Sequence, residues 1–134
     1  KILNKQNLIF DINLKNIGGS DQLFFKKLHL KNLNLKWNLN SFVIEDIQIE
    51  RENLNWFLKR NFRYGYSGNY IDSNIYGQLG LILNFSKGFY LLLLSIFFMT
   101  IFFFNVNFYK SIFYFCRSLG RFSSLIRYKP NKYI

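Results

Sequence analysis

The sequence predicts an α/β fold class in its first half, followed by membrane-associated helices, on three observations. The run Leu33-Asn-Leu35-Lys-Trp37-Asn-Leu39 alternates apolar and polar residues with period two, as a strand does when one face is buried and the other wet. From Glu50 to about Arg63 the period lengthens, and Leu54, Phe57, Leu58 and Phe62 fall on one helical stripe. From Gly88 to Val106 no charge interrupts roughly 19 residues, enough for a helix to cross a hydrocarbon core. These features divide the chain into residues 1–70, a mixed unit of strands and helices, and residues 71–134, hydrophobic helices with a basic amphipathic tail.

Taken in order, residues 1–16 hold two apolar patches, Ile2-Leu3 and Leu8-Ile9-Phe10, read as a strand end and a loop or short helix leading to Gly18-Gly19. Ser20 is a good N-cap and Asp21 suits the first turn of the helix that follows. That helix runs to about Leu30, with Leu23, Phe24 and Leu28 on its buried side and Lys26 and Lys27 toward water. After the alternating strand, Asn40-Ser41 makes a turn and Phe42-Val43-Ile44 a second short strand, ended by Glu45 and Asp46. On the next helix Trp56, Arg60 and Arg63 stand at i, i+4 and i+7, so both guanidinium groups share a face with an indole. Two such arginines can grip a diphosphate with forked donors, or else be solvated or paired with Glu45 and Glu52. Gly65 and Gly68, amid Tyr64, Tyr66 and Tyr70, are expected to break this helix into a loop.

In the second half, Ile75 to Phe85 is weakly apolar and interrupted by Gly77, Gly80 and Asn84, a re-entrant or packing helix. Between Phe108 and about Ile126, Lys110, Tyr114, Arg117 and Arg121 form one polar face, opposite Ile112, Phe113, Phe115, Cys116, Leu119 and Phe122. This pattern predicts a helix lying in a membrane interface, its cations toward anionic headgroups.

A formal charge of +11 suits an anionic partner, and its distribution decides which. After Asp72 there is no acidic residue, and the cations flank hydrophobic sequence, so a membrane surface is expected and nucleic acid is not: the lysines are dispersed and the aromatic residues stand in membrane-like runs. One cysteine, Cys116, excludes an internal disulfide, and a single His29 makes no metal cluster. The chain begins at Lys1 without a signal-like segment, and is expected to be the C-terminal piece of a longer protein.

Gly18-Gly19-Ser20-Asp21 places a carboxylate at the end of a loop that a ligand can approach closely, since glycine carries no Cβ. Asp21 there is either a general base or a capping aspartate. The ordered set Phe10-Asp11, Gly18-Gly-Ser-Asp21-Gln-Leu-Phe-Phe, Trp37, Val43-Ile-Glu45, Glu50-Arg51 and Trp56-Phe-Leu-Lys-Arg60-Asn-Phe-Arg63-Tyr64-Gly65 resembles the C-terminal half of family 2 glycosyltransferases, bacterial enzymes of surface-polysaccharide synthesis in particular. The chain departs from that pattern at Ser20, where an acidic residue is common, and at Tyr64, where tryptophan is usual.

The resemblance implies part of a GT-A nucleotide-sugar-binding domain and an inverting transfer. Asp21 takes the position of the base that deprotonates the acceptor hydroxyl. Gly18, Gly19, Ser20, Trp56, Arg60, Arg63 and Tyr64 are then expected to bind substrate. The implied partners are a nucleotide-sugar donor and a glycan or lipid-linked acceptor. A divalent metal, Mg or Mn, is implied in the complete enzyme, with its ligands upstream of this chain. The positive-inside rule puts Arg117 to Lys132 in the cytoplasm, where nucleotide sugars are also found. A hairpin or shallow re-entrant segment at the cytoplasmic face of the bacterial inner membrane satisfies both. The alternative is a small non-enzymatic membrane subunit with a basic anchor.

Overall fold

The computed structural model describes residues 9–33, 36, 38–101 and 107–126. Its architecture is helical: α1 (Ser20–Leu30), α2 (Leu54–Tyr76), α3 (Gln78–Ile101) and α4 (Asn107–Leu125), with 3-10 turns at Ile12–Leu14 and Ile49–Arg51. The expected α/β class is therefore corrected, because no strand or sheet occurs among the described residues and the fold is not GT-A. Part of the alternating stretch, residues 34, 35 and 37, lies outside the described residues, as do 1–8, 102–106 and the tail from 127. The Phe42–Ile44 stretch is described and forms no strand; Val43 is 91% exposed, and Leu39, Phe42 and Ile44 are nearly as open. The reason is physical. A strand's backbone groups need a neighbouring strand, and no described segment offers one. The turn expected at Asn40-Ser41 does form, with the Asn40 amide donating to Asn38 Oδ1 at 3.0 Å and the Ser41 amide to the Asn38 carbonyl at 3.2 Å.

Helix α1 buries Leu23, Phe24 and Leu28, the three residues its periodicity selects. Its cap position is Gly19, not Ser20. Gly18 and Gly19 both have left-handed backbone angles, φ 89° and 88°, and a Cβ on Gly19 would press against Ile71 and Ser67 of α2. Only glycine meets both demands at once. Leu14, Leu23 and Ile71 form a small core with Ile17, Tyr70 and Ile75 around it, so α1 and the loop before it seat on α2.

Helix α2 begins at an Asn53 cap, whose side chain accepts from the Trp56 amide at 2.8 Å, and continues through Gly65 and Gly68 to Tyr76. The break expected at these glycines is absent because their role is close packing. A Cβ on Gly65 would overlap the Arg117 carbonyl of α4, and one on Gly120 of α4 would overlap the Phe62 carbonyl of α2. Two helices thus cross backbone to backbone over a pair of glycines. The boundary expected after residue 70 falls inside α2. Gly77 then turns the chain into α3, and the Gly80 α-carbon faces the Asp72 carbonyl too closely for a side chain.

Helices α3 and α4 run antiparallel. Ser95 Oγ donates to the Ser111 carbonyl (2.8 Å), Ser118 Oγ to the Gly88 carbonyl (2.8 Å), and Asn84 Nδ2 to the Arg121 carbonyl (3.0 Å). The buried residues of α3 are Gly80, Asn84, Gly88 and Ser95, whereas Leu81, Ile82, Phe85, Phe89, Leu93 and Phe97 are exposed. A helix in water arranges these the other way, apolar inside and polar outside. Small and hydroxyl residues at the contact, with apolar residues outward, suit a helix beside lipid. This helix is long and apolar enough to cross a membrane, by length and composition.

Asp72 ties the layers together. Its carboxylate is 1% exposed and meets Lys26 of α1 (3.2 Å), Lys87 of α3 (2.9 Å) and Arg121 of α4 (3.2 Å). Lys26, expected toward water, is drawn back by this charge. So is Arg121, expected at headgroups, which also donates to Asn84 Oδ1 at 2.8 Å. Burial pushes the Asp72 carboxyl toward its neutral form, but the hydrogen bond and charge of Lys87, and the charge of Lys26, outweigh it and hold its pKa below 3.8. A lowered folded pKa stabilises the fold at pH above 3.8, and that contribution is lost as pH falls through the folded value. Asp72→Asn should cost about 3 kcal/mol or more, since it leaves the cations without their carboxylate. Unfolding followed by circular dichroism at neutral pH checks this, and the acid limb of stability against pH should flatten in the variant; an unchanged midpoint and an unchanged limb contradict it.

Candidate functional site

Most of the residues singled out from the sequence line one open cleft of about 600 Å³ between the Gly18-Gly19 loop, α1 and the first turns of α2. Gly18, Gly19 and Asp21 form one wall, and Trp56, Arg60, Arg63 and Tyr64 the other. Ser20 does not line it; this residue opens α1, half-buried. The fold brings the two walls together because Ile71 and Tyr70 of α2 pack with Leu14, Ile17 and Leu23. The cleft also takes in Gln22, Glu45, Gln48 and Arg51, which the sequence reading did not assign to substrate.

The walls differ in rigidity and charge. Asp21 is exposed at the start of α1, where the free amides of the first turn favour a carboxylate. Opposite it, the Arg60 guanidinium lies 4.7 Å from the Trp56 ring centroid and 5.4 Å from that of Tyr64, and its Nε donates to the Tyr64 hydroxyl at 2.8 Å. Both rings attract the cation by their faces and fix its plane. Its two terminal nitrogens make no bond to another described residue, so they are available to a ligand.

Arg63 does different work. Its Nε donates to the Ile17 carbonyl at 3.3 Å and one terminal nitrogen to the Asn16 carbonyl at 2.8 Å. It clamps the loop that presents Gly18 and Asp21, and so positions the site as well as lining it. The loop is fixed at its other end by Asp11, which accepts from the Asn13 amide (2.9 Å) and the Tyr70 hydroxyl (2.9 Å). Burial opposes ionisation of Asp11, but these hydrogen bonds outweigh it and lower its pKa below 3.8. Arg51 pairs with Glu45 at 3.3 Å across the outer rim.

Sequence reasoning missed the buried cluster of Asp72, Lys26, Lys87 and Arg121. One signal was present: Asp72 is the last acidic residue before a wholly cationic second half, so any buried cation there has few carboxylates to meet. Among the described residues no three His, Cys, Asp or Glu side chains converge to hold a metal ion. The resemblance puts the ligands of its divalent metal upstream of Lys1, and nothing in the described residues bears on that expectation. No protein-family model, curated protein or solved structure matches the chain.

The two arginines should separate by measurement. Arg63→Ala should lower stability by about 1.5–3 kcal/mol, as expected when charged hydrogen bonds to a loop are lost. Arg60→Ala, exposed and stacked on the surface, should leave stability within about 0.5 kcal/mol. Chemical denaturation of both variants tests this, and equal losses would contradict the division of labour.

Proposed function

We propose that this chain forms the acceptor-activating side of a glycosyl transfer, in which a sugar passes from a nucleotide-sugar donor to a hydroxyl of a glycan or lipid-linked acceptor at a membrane. The observation that carries the reading is the cleft itself. It holds Asp21 across from Arg60, Trp56 and Tyr64, residues the sequence had grouped for this chemistry from two segments some 35 residues apart. The helical fold is not that of the resembled family, so the proposal rests on the site alone.

The step follows from the side chains. The Asp21 carboxylate takes the proton of the acceptor hydroxyl as its oxygen attacks the anomeric carbon. The bond from that carbon to the diphosphate oxygen breaks, and its electron pair leaves with the diphosphate. Attack from the face opposite the leaving group inverts the anomeric configuration. Arg60, held flat by two rings, meets the negative charge that develops on the departing group. Trp56 and Tyr64 also give a sugar ring an apolar face to rest on.

The way the helices stack supports one membrane seat over others. Gly88 near the middle of α3 contacts Ser118 of α4, and the neighbouring Arg117 carbonyl lies against Gly65 of α2. Arg63 stands two residues from Gly65 on α2, and Arg60 about one turn further along. A perpendicular α3 would carry this polar cleft into hydrocarbon, so the packing supports an α3 lying along the interface with its exposed leucines and phenylalanines downward. The cytoplasmic face is proposed from the excess of cations and the location of nucleotide sugars.

Asp21→Asn in the full-length product of the gene should lower transfer roughly 10²–10⁴-fold with folding intact; transfer at the native rate removes Asp21 as the base. For the membrane seat, Phe89→Glu combined with Phe97→Glu should release the chain from phosphatidylglycerol vesicles in a flotation assay. Both side chains are about half exposed, so the fold should survive. Undiminished flotation would contradict the orientation.

A further inference from the structure

The cleft continues beyond Tyr64. Gln22 and Tyr64 line both it and a second cavity of about 390 Å³, set between α1, α2 and α4. The second wall holds three cations, Lys26, Arg117 and Arg121, against one carboxylate, Asp72, so two positive charges are left over. Lys87, outside the cavity, also draws on Asp72 and increases the surplus.

Arg117 is the sharpest part of this surplus. Its terminal nitrogen donates to Asn61 Oδ1 at 2.8 Å and its guanidinium lies 5.6 Å from the Tyr64 ring centroid, both neutral partners. The Nε atoms of Arg117 and Arg121 are buried with no hydrogen-bond partner among the described residues. Partly buried cations without counter-charge are costly, and a protein that fixes them around a cavity gains when an anion enters. Guanidinium groups match the oxygens of a phosphate with paired, planar donors.

We propose that this cavity is a subsite for a phosphate or diphosphate group, held by Lys26, Arg117 and Arg121. The inference rests on the glycosyl-transfer reading and deepens it. A molecule seated in the first cleft passes Gln22 and Tyr64 to place its phosphate in the cavity. That phosphate belongs either to a lipid-linked acceptor or to a water-soluble nucleotide, and the chemistry of recognition is the same for both.

The test uses the full chain in phosphatidylcholine nanodiscs, in an Arg60→Gln background so that the first cleft loses the guanidinium it offers to a ligand. Two probes are titrated and followed by ³¹P line broadening: inorganic pyrophosphate in solution, and a polyprenyl phosphate built into the disc. Binding of one probe or both is expected, with Lys26→Gln/Arg117→Gln weakening it at least tenfold. Loss confined to the polyprenyl phosphate assigns a lipid source, and loss confined to pyrophosphate a soluble one. Should the double variant misfold by circular dichroism, Gln22→Glu serves in its place; it adds a carboxylate to the wall from an exposed position on α1 and must weaken binding likewise. Failure of both probes to bind, or unchanged binding in the folded variant, overturns the subsite. Transfer by Asp21→Asn is measured separately: a phosphate site that persists beside native transfer leaves the subsite standing and removes only the base.

Discussion

Everything in this fold meets at the Asp72 carboxylate. It is fully buried near the end of α2, and each of the other three helices sends it a cation: Lys26 from α1, Lys87 from α3, Arg121 from α4. An isolated buried carboxylate would be strongly disfavoured, and so would the Arg121 guanidinium, 13% exposed, without it. The charges therefore commit each helix to one register. Few apolar contacts do so here, because the apolar core among the described residues is small: Leu14, Leu23 and Ile71 join the first loop, α1 and α2, and Phe24 and Leu28 pack with Leu33 just after α1.

The remaining contacts are of a kind that lipid-facing proteins use. Glycines at 65 and 120 let two backbones touch, and serines at 95 and 118 donate across to carbonyls of the facing helix. These interactions gain little from expelling water, and they suit a helix that turns its apolar face toward lipid. The apolar side chains of α3 are thereby released to the outside. One packing scheme thus explains the inverted α3, the unbroken α2 and the buried polar face of α4. It also joins the cleft to the membrane-facing layer, since α2 carries Arg60 and Arg63 on one side and Gly65 on the other.

How much of this was legible in the sequence depended on the range of the interaction. Leu23, Phe24 and Leu28 were readable because helical period is local, and part of the cleft was readable because Asp21 and Arg60 stand in short motifs with a chemical reason; Ser20 lies outside it, and Gln22, Glu45, Gln48 and Arg51 reach it through folding alone. The apolar run from Gly88 was also plain, but its union with the stretch before it into one helix, Gln78–Ile101, was not, since Gly80 and Asn84 read as interruptions and are packing residues. A strand was read wrongly at Phe42–Ile44 because an apolar run after a turn states only what a strand would look like, and pairing requires a partner that no described segment supplies. Gly65 and Gly68 were read as breakers because propensity disfavours glycine in a helix; their real neighbour is Arg117 or Arg121, more than fifty residues away. Arg121 pointed toward headgroups on a helical wheel, which cannot show a carboxylate brought in from another helix.

Native-state hydrogen exchange on Asp72→Asn tests the central claim most directly, since it reports which helices depend on that one carboxylate. Amides of α1 and of α4 should lose protection together, with the Gly18-Gly19 loop following α1. Loss confined to the turn around position 72, with α1 and α4 protected as in the parent protein, would contradict the account and leave the buried charge a local feature of α2.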